Sequence, residues 1–243
     1  MSRGTRGAGA LTLVIVVSCT SKPADEWSDP RSQGSAAPAA PTPVPLVREA
    51  PGALAARREA QESFDRARAA LLREAFTESA RELANASAFM RTHAEEAEIG
   101  AIAALQGTSK ELEMLSGRLA RGEPLTVRTL DRVFANANRA EAQHHLTRAV
   151  AAMAEGKYPR AGEELIMGVD HLERALRDLR RWPDPEADAA LADARSLADL
   201  LLRGDVPPRV EAERVTGQIE AELRRLCGII DVEARACALE AVR

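Results

Sequence analysis

The chain has 243 residues, of which 29% are charged and only 3% are aromatic. This length is enough to bury a substantial core, and the composition is typical of packed amphipathic helices rather than of sheets. The net charge is −4, and the sequence contains no long basic run. Nucleic acid is therefore excluded as an expected partner, because its phosphate backbone requires a positive surface.

Residues 1–18 form a predicted signal peptide. Arg3 and Arg6 give it a positive start, and the apolar run from Ala8 to Val17 is too short to span a bilayer. The run ends in Val16-Val17-Ser18-Cys19, which resembles the lipobox of bacterial lipoprotein precursors. The resemblance implies cleavage before Cys19, acylation of this cysteine and attachment to the lipid bilayer. An ordinary secretory signal and an uncleaved anchor are the alternatives.

The residue after the cysteine bears on the destination of the protein. Thr20 stands where the inner-membrane retention signal of many Gram-negative lipoproteins has aspartate. The resemblance therefore implies an anchor in the outer membrane, with the protein facing the periplasm. Two or three acyl chains give stable attachment, whereas a single chain is marginal.

Residues 19–52 are predicted to be a disordered tether. Proline, serine and alanine dominate this segment, and Pro38, Pro41, Pro43 and Pro45 come almost every second residue. Such a sequence cannot bury enough apolar surface to offset the entropy of ordering it.

Residues 53–243 are predicted to form an all-α domain, an antiparallel bundle of about six helices. Helical spacing of apolar residues predicts a first helix that continues to about Met90. Thr92 and Glu95 have the spacing of a capping box and predict the start of a second helix. One unbroken helix past residue 100 is the alternative. Gly122-Glu123-Pro124 ends this region.

The stretch from Thr126 to Trp182 is predicted to be a central helical hairpin. Its turn is Gly156-Lys157-Tyr158-Pro159, in which glycine ends one helix and proline begins the next. The first helix is apolar on two opposite faces, which predicts an interior position. On the second helix, apolar or small residues recur at steps of three and four, which indicates packing against a near-antiparallel neighbour. These residues are Gly162, Leu165, Val169, Leu172, Leu176 and Leu179.

Part of this hairpin, from Ala140 to Ala161, resembles one tetratricopeptide repeat. Leu146, Ala149 and the turn Gly156-x-Tyr158-x-x-Ala161 match positions of that family. Thr147, however, stands where glycine is usual, and no second copy recurs at the family period of about 34 residues. These departures predict a bundle hairpin with similar turn chemistry, and a true repeat protein is the alternative.

Two further helices are predicted after the hairpin. Asp184 as N-cap and Pro185 at the first helical position mark one start, and Pro207-Pro208 precedes the other. Gly228 to Asp231 are predicted to interrupt the last of these, before a short helix near the end of the chain.

Histidines of the central hairpin are the candidate metal ligands. Glu141-x-x-His144 has the spacing of one half of a di-iron carboxylate site in a ferritin-like bundle. Counting outward from the turn places His144 and His145 level with His171. Gly168, three residues before His171, leaves no second Glu-x-x-His motif. We expect a polar layer without metal in the hairpin, with the metal site as the alternative, and His93 is predicted to stand alone.

Two cysteines remain after Cys19, and an oxidising periplasm favours a disulfide between Cys227 and Cys237. On one straight helix they would lie about 15 Å apart, beyond bonding distance. The prediction therefore requires a bend between Gly228 and Asp231. Two buried thiols are the alternative.

The predicted function is that of a tethered interaction or scaffold module. Its candidate contact residues lie at the end of the hairpin, because arginine and tryptophan are often energetically important at interfaces. These residues are Arg177, Arg180, Arg181 and Trp182. The protein partner is not identified by the sequence, no cofactor is expected, and no catalytic motif occurs. The alternatives are a metal- or cofactor-binding helical bundle and an enzyme without a recognisable motif.

Overall fold

The computed structural model describes residues 51–181 and 185–230, with side chains from Ala60 onward, and all of them belong to one compact unit. Within these ranges the chain forms seven helices and no strand, which confirms the predicted all-α bundle. The helices are α1 (Pro51–Leu72), α2 (Phe76–Glu95), α3 (Ile99–Ala120), α4 (Val127–Ala154), α5 (Tyr158–Asp178), α6 (Pro185–Leu202) and α7 (Arg209–Ile230). The predicted signal peptide, Cys19 and most of the predicted tether lie outside the described residues.

The prediction of one helix to about Met90 is wrong, because the chain turns between α1 and α2. Glu74 adopts a left-handed conformation with φ of 60°, and the amide of Ala75 donates to the carbonyl oxygen of Ala70 at 2.9 Å. The turn lets the apolar faces of the two helices pack together and buries Leu71 against the same core as Leu83. Tertiary packing thus overrides a helical pattern that contains no glycine or proline.

The second break also lies later than predicted. Thr92 lies inside α2, where its hydroxyl donates to the carbonyl oxygen of Ala88 at 3.2 Å, so it does not cap a helix. α3 begins at Ile99, after Glu98 in extended conformation. The predicted capping box at Thr92 and Glu95 is therefore wrong, although two separate helices are present.

The central hairpin is formed by α4 and α5, as predicted. Thr126 caps α4 by accepting a hydrogen bond from the amide of Thr129 at 3.1 Å. Gly156 ends α4 with φ of 73°, and Pro159 lies in the first turn of α5. The predicted seam of α5 is buried from Gly162 to Leu176.

Two apolar cores share α4, and each of its two predicted apolar faces packs in one of these cores. The N-terminal core lies among α1, α2, α3 and α4 and includes Leu130 and Phe134. The C-terminal core lies among α4, α5, α6 and α7 and includes Leu146 and Ala149. The interior position predicted for α4 is therefore confirmed.

α6 packs closely on α5 at Gly162. A β-carbon at this position would lie 2.8 Å from the carbonyl oxygen of Ala198 and 2.9 Å from the backbone nitrogen of Leu202. Glycine therefore allows the two helix backbones to approach. α7 continues through Gly228 to Ile230, so the predicted interruption at Gly228 is wrong. None of the described helices is long and apolar enough to span a membrane.

Candidate functional site: a buried histidine–glutamate cluster

The middle of α4 is buried on every side although it is strongly polar. Every residue from Val133 to Leu146 is buried. Polar side chains in this stretch cost free energy unless they find partners, because they leave water. These polar residues are Asn136, Asn138, Arg139, Glu141, Gln143, His144 and His145.

Three side chains in this region form a possible ligand group. One ligand atom each from Glu141, His145 and His171 lies within 4.8 Å of the other two, and all three residues are buried. Glu141 and His145 share a face of α4 because they are four residues apart. His171 comes from α5, which approaches α4 at Gly168, where a β-carbon would lie 3.4 Å from the carbonyl oxygen of Ala142.

Outer hydrogen bonds orient both imidazoles of this ligand group. Nδ1 of His145 donates to Glu164 at 2.8 Å, and Glu164 also contacts Arg148 at 2.8 Å. Nδ1 of His171 donates to Oδ1 of Asn138 at 3.0 Å. Because each Nδ1 carries the proton, the lone pair of each ring is on Nε2. Metal-binding histidines are commonly oriented in this way.

Glu141 is a buried carboxylate, only 3% exposed, with imidazoles as its titratable neighbours. Burial raises the pKa of Glu141, but the hydrogen bond from His93 and the positive potential of the neighbouring imidazoles lower it to about 2. The carboxylate is therefore ionised at neutral pH. Among the described residues, only imidazole nitrogens of His93, at 3.1 Å, and of His145, at 4.0 Å, lie within ion-pair distance of it, and they pair with it only when protonated.

The remaining two histidines complete what we call the histidine–glutamate cluster, consisting of His93, Glu141, His144, His145 and His171. Nδ1 of His93 lies 3.1 Å from both carboxylate oxygens of Glu141, and the rings of His93 and His144 have centroids 6.1 Å apart. His144 lies outside the ligand group. Burial, together with the charge of His145, lowers the pKa of His144 to about 4.

All four histidines of the chain therefore meet in one cluster. Three of the predicted residues, Glu141, His145 and His171, come together, whereas the Glu141-x-x-His144 pairing does not form the group. The prediction that His93 stands alone is wrong. The position of His93 depends on how α2 packs against α4. No spacing of residues in the sequence predicts that contact.

The other predicted site residues lie elsewhere. Arg177 and Arg180 line one cavity, and Arg180 and Arg181 line a second cavity beside it. Trp182, Cys19 and Cys237 lie outside the described residues. Cys227 is buried in α7 and is disulfide-bonded, and its pairing with Cys237 stays a prediction.

Comparison with known proteins gives no match to a family model, a curated protein or a solved structure. The function is therefore argued from the site.

Proposed function

We propose that the helical domain binds one divalent transition-metal ion at Glu141, His145 and His171. Two imidazoles and one carboxylate are a donor set that suits zinc and ferrous iron. In a tetrahedral site with bonds of about 2.0–2.2 Å, neighbouring ligand atoms are roughly 3.4 Å apart. The ligand atoms here, within 4.8 Å of one another, reach that spacing by small side-chain rotations.

The absence of a lysine or arginine beside Glu141, among the described residues, is the observation that carries this proposal. A buried carboxylate is costly unless a cation accompanies it. Glu164, on the neighbouring helix, has the permanent cation Arg148 at 2.8 Å. Glu141 contacts no lysine or arginine among the described residues, and its two ion-pair neighbours are imidazoles. A divalent ion neutralises this carboxylate and uses lone pairs that the outer hydrogen bonds have already oriented.

A polar layer without metal makes a different prediction. In that case protonated His93, which contacts both oxygens of Glu141, supplies the positive charge. Added metal would then find no preferred site, and removal of His93 would destabilise the fold more than removal of His171.

The binding experiment uses the full mature chain in detergent, purified without a histidine tag and stripped with chelator. Zinc is titrated in competition with a chromogenic chelator. We expect one ion per chain. His145→Asn and Glu141→Gln should weaken binding by roughly 100-fold or more, since loss of an outer partner alone costs about 10–100-fold.

His144→Asn is the matched control, because it changes a buried histidine next to His145 that is outside the ligand group. It should keep zinc affinity within a few-fold. Circular dichroism and melting establish that each variant is folded. The absence of stoichiometric binding, or equal loss in His144→Asn and His145→Asn, would reject the proposal.

We further propose that this domain belongs to an outer-membrane lipoprotein, tethered by residues 19–52 and facing the periplasm. The support is the lipobox-like sequence ending at Cys19 and the proline-rich segment after it. Intact-mass analysis should give a mature chain that begins at acylated Cys19. An uncut leader or an unmodified Cys19 would contradict this.

A further inference from the structure

Two adjoining cavities lie at the C-terminal end of α5. The first has a volume of about 440 Å³ and the second of about 480 Å³. Asp131, Asp178 and Arg180 line both cavities. Residues from α1, α4 and α5 meet there, so the two cavities form one continuous concave surface.

This surface is strongly basic in a chain whose net charge is −4. Four arginines line each cavity and Arg180 is common to both, so seven arginines face three aspartates. Among the described lining residues arginine therefore outnumbers aspartate, although Arg132 and Arg177 also contact Glu111 and Glu173, which line neither cavity. The negative end of the α5 dipole favours one or two cations nearby, but it does not account for arginines contributed by three helices.

The aspartates are already engaged by one arginine. Arg68 donates to Asp131 and to Asp178, each at 2.8 Å, and lies 3.5 Å from Asp65. These carboxylates hold Arg68 in place, and Asp131 also lies 3.8 Å from Arg180. Three other lining arginines contact no carboxylate among the described residues. These are Arg128, Arg174 and Arg181.

Arg180 occupies an unusual backbone position between the two cavities. Its φ is 54°, in the left-handed region, where a side chain costs about 1–2 kcal/mol relative to glycine. At the same place after α3, α4 and α6 the chain has Gly122, Gly156 and Gly204; only Glu74, after α1, is a further exception in the described chain. The Arg180 side chain is 82% exposed and lies 3.8 Å from Asp131.

We propose that the two cavities together bind one small polyanion that carries two phosphate groups. Arg174 and Arg177 face one group, Arg128 and Arg181 face the other, and Arg180 lies between them. Two phosphate groups carry roughly −3 to −4 at neutral pH, and this negative charge complements the excess of arginine among the described lining residues. Arginine suits this ligand because its guanidinium bonds phosphate in a bidentate manner.

Phosphate groups of this kind come from a free metabolite or from a lipid headgroup, and the experiment distinguishes the two sources. Inorganic pyrophosphate is the soluble probe, titrated calorimetrically in chelator so that metal binding plays no part. The membrane probe is a vesicle of phosphatidylcholine with phosphatidylinositol bisphosphate, whose inositol ring carries two phosphate monoesters, tested by flotation. The protein is the full mature sequence with Cys19→Ala, because an acylated anchor would itself bind vesicles.

We expect one pyrophosphate per chain, with affinity that falls as salt rises. Arg174→Gln and Arg181→Gln should each weaken binding at least roughly tenfold, because a charge-assisted hydrogen bond is lost. Arg203→Gln, which changes an exposed arginine that lines neither cavity, should leave affinity unchanged. Binding of vesicles but not of pyrophosphate, with the same dependence on Arg174 and Arg181, assigns the phosphates to a lipid headgroup.

Three results would overturn the proposal. The first is that neither probe binds. The second is that Arg203→Gln weakens binding as much as Arg174→Gln does, which indicates attraction to net charge alone. The third is that orthophosphate matches pyrophosphate in affinity, which excludes a ligand held at two points. None of these results bears on the metal site, because chelator is present throughout.

Discussion

Replacement of Gly162 by alanine should destabilise the fold, although the same change favours a helix in general. The new β-carbon would lie 2.8 Å from the carbonyl oxygen of Ala198 and 2.9 Å from two atoms of Leu202. Two of these three atoms belong to the backbone of α6, so they cannot move aside by rotation of a side chain. α5 and α6 must separate by roughly 0.5 Å to restore ordinary contact.

The size of the effect follows from two opposing contributions. Overpacking of a close helix contact costs about 1–3 kcal/mol, whereas alanine gains up to about 1 kcal/mol over glycine in a helix. The expected net loss is about 1–2 kcal/mol in the free energy of unfolding. For a domain of this size, that loss lowers the melting temperature by roughly 2–8 °C.

Gly107→Ala is the matched control, since a β-carbon at this position on α3 would meet nothing within 4 Å. It should raise the stability by up to about 1 kcal/mol through helix propensity alone. Urea unfolding and thermal melting, both followed by circular dichroism, measure the two variants beside the parent protein. Opposite shifts support the close α5–α6 approach. A Gly162→Ala protein that melts at or above the parent temperature would refute it.

Further predictions concern the core, the cluster, the disulfide and the anchor. Leu172→Ala should lower the free energy of unfolding by about 2–5 kcal/mol, because Leu172 is fully buried and truncation leaves a cavity; a loss below 1 kcal/mol in urea unfolding would contradict its core position. The pKa of His144 is lowered to about 4 by burial, so the unfolded chain takes up a proton first as pH falls from 6.5 towards 4, and stability falls with it. Metal-free protein should therefore lose about 2 kcal/mol more between pH 7 and pH 5 than His144→Gln does, and equal losses in urea titrations would exclude this linkage. Cys227 should be bonded to Cys237, with stabilisation of about 2–3 kcal/mol, and a peptide map of the unreduced protein that lacks this cross-link would reject the pairing. Cys19→Ala should release the protein from membranes, and continued membrane fractionation would speak against acylation there.

Local sequence signals are enough to predict the central hairpin. Gly156 and Pro159 mark the turn chemically, and the steps of three and four from Gly162 to Leu176 define the buried face of α5. The turn between α1 and α2 has no such signal, because Glu74 adopts a left-handed conformation that glycine normally supplies. Contacts between distant parts of the chain fix that turn, and they leave no mark on local spacing.

The ligand group was predictable only in part, for the same reason. His145 and His171 are separated from the hairpin turn by similar numbers of residues. Because they lie on the two adjacent antiparallel helices of the hairpin, the sequence predicts that they lie side by side. Whether His144 or His145 joins the ligand group depends on the rotation of α4 about its axis. That rotation is fixed by packing against all the surrounding helices. His93 reaches Glu141 from α2, and no sequence period connects these two residues.

The basic surface was likewise only partly predictable from the sequence. Arg177, Arg180 and Arg181 stand out in the sequence as a cluster at a helix end. Arg68 joins them from α1 because it bonds Asp131 and Asp178, residues more than 60 positions away in the chain. Such a long-range contact has no counterpart in the local pattern.

Anomalous diffraction at the zinc absorption edge, from crystals of zinc-loaded protein, tests the central claim most directly. The account predicts one strong peak between α4 and α5, at about 2.0–2.2 Å from a carboxylate oxygen of Glu141 and from Nε2 of His145 and His171. The hydrogen bonds from the two Nδ1 atoms to Glu164 and Asn138 should persist. A fully loaded crystal with no peak among these three side chains, and with zinc bound elsewhere on the chain, would contradict the account.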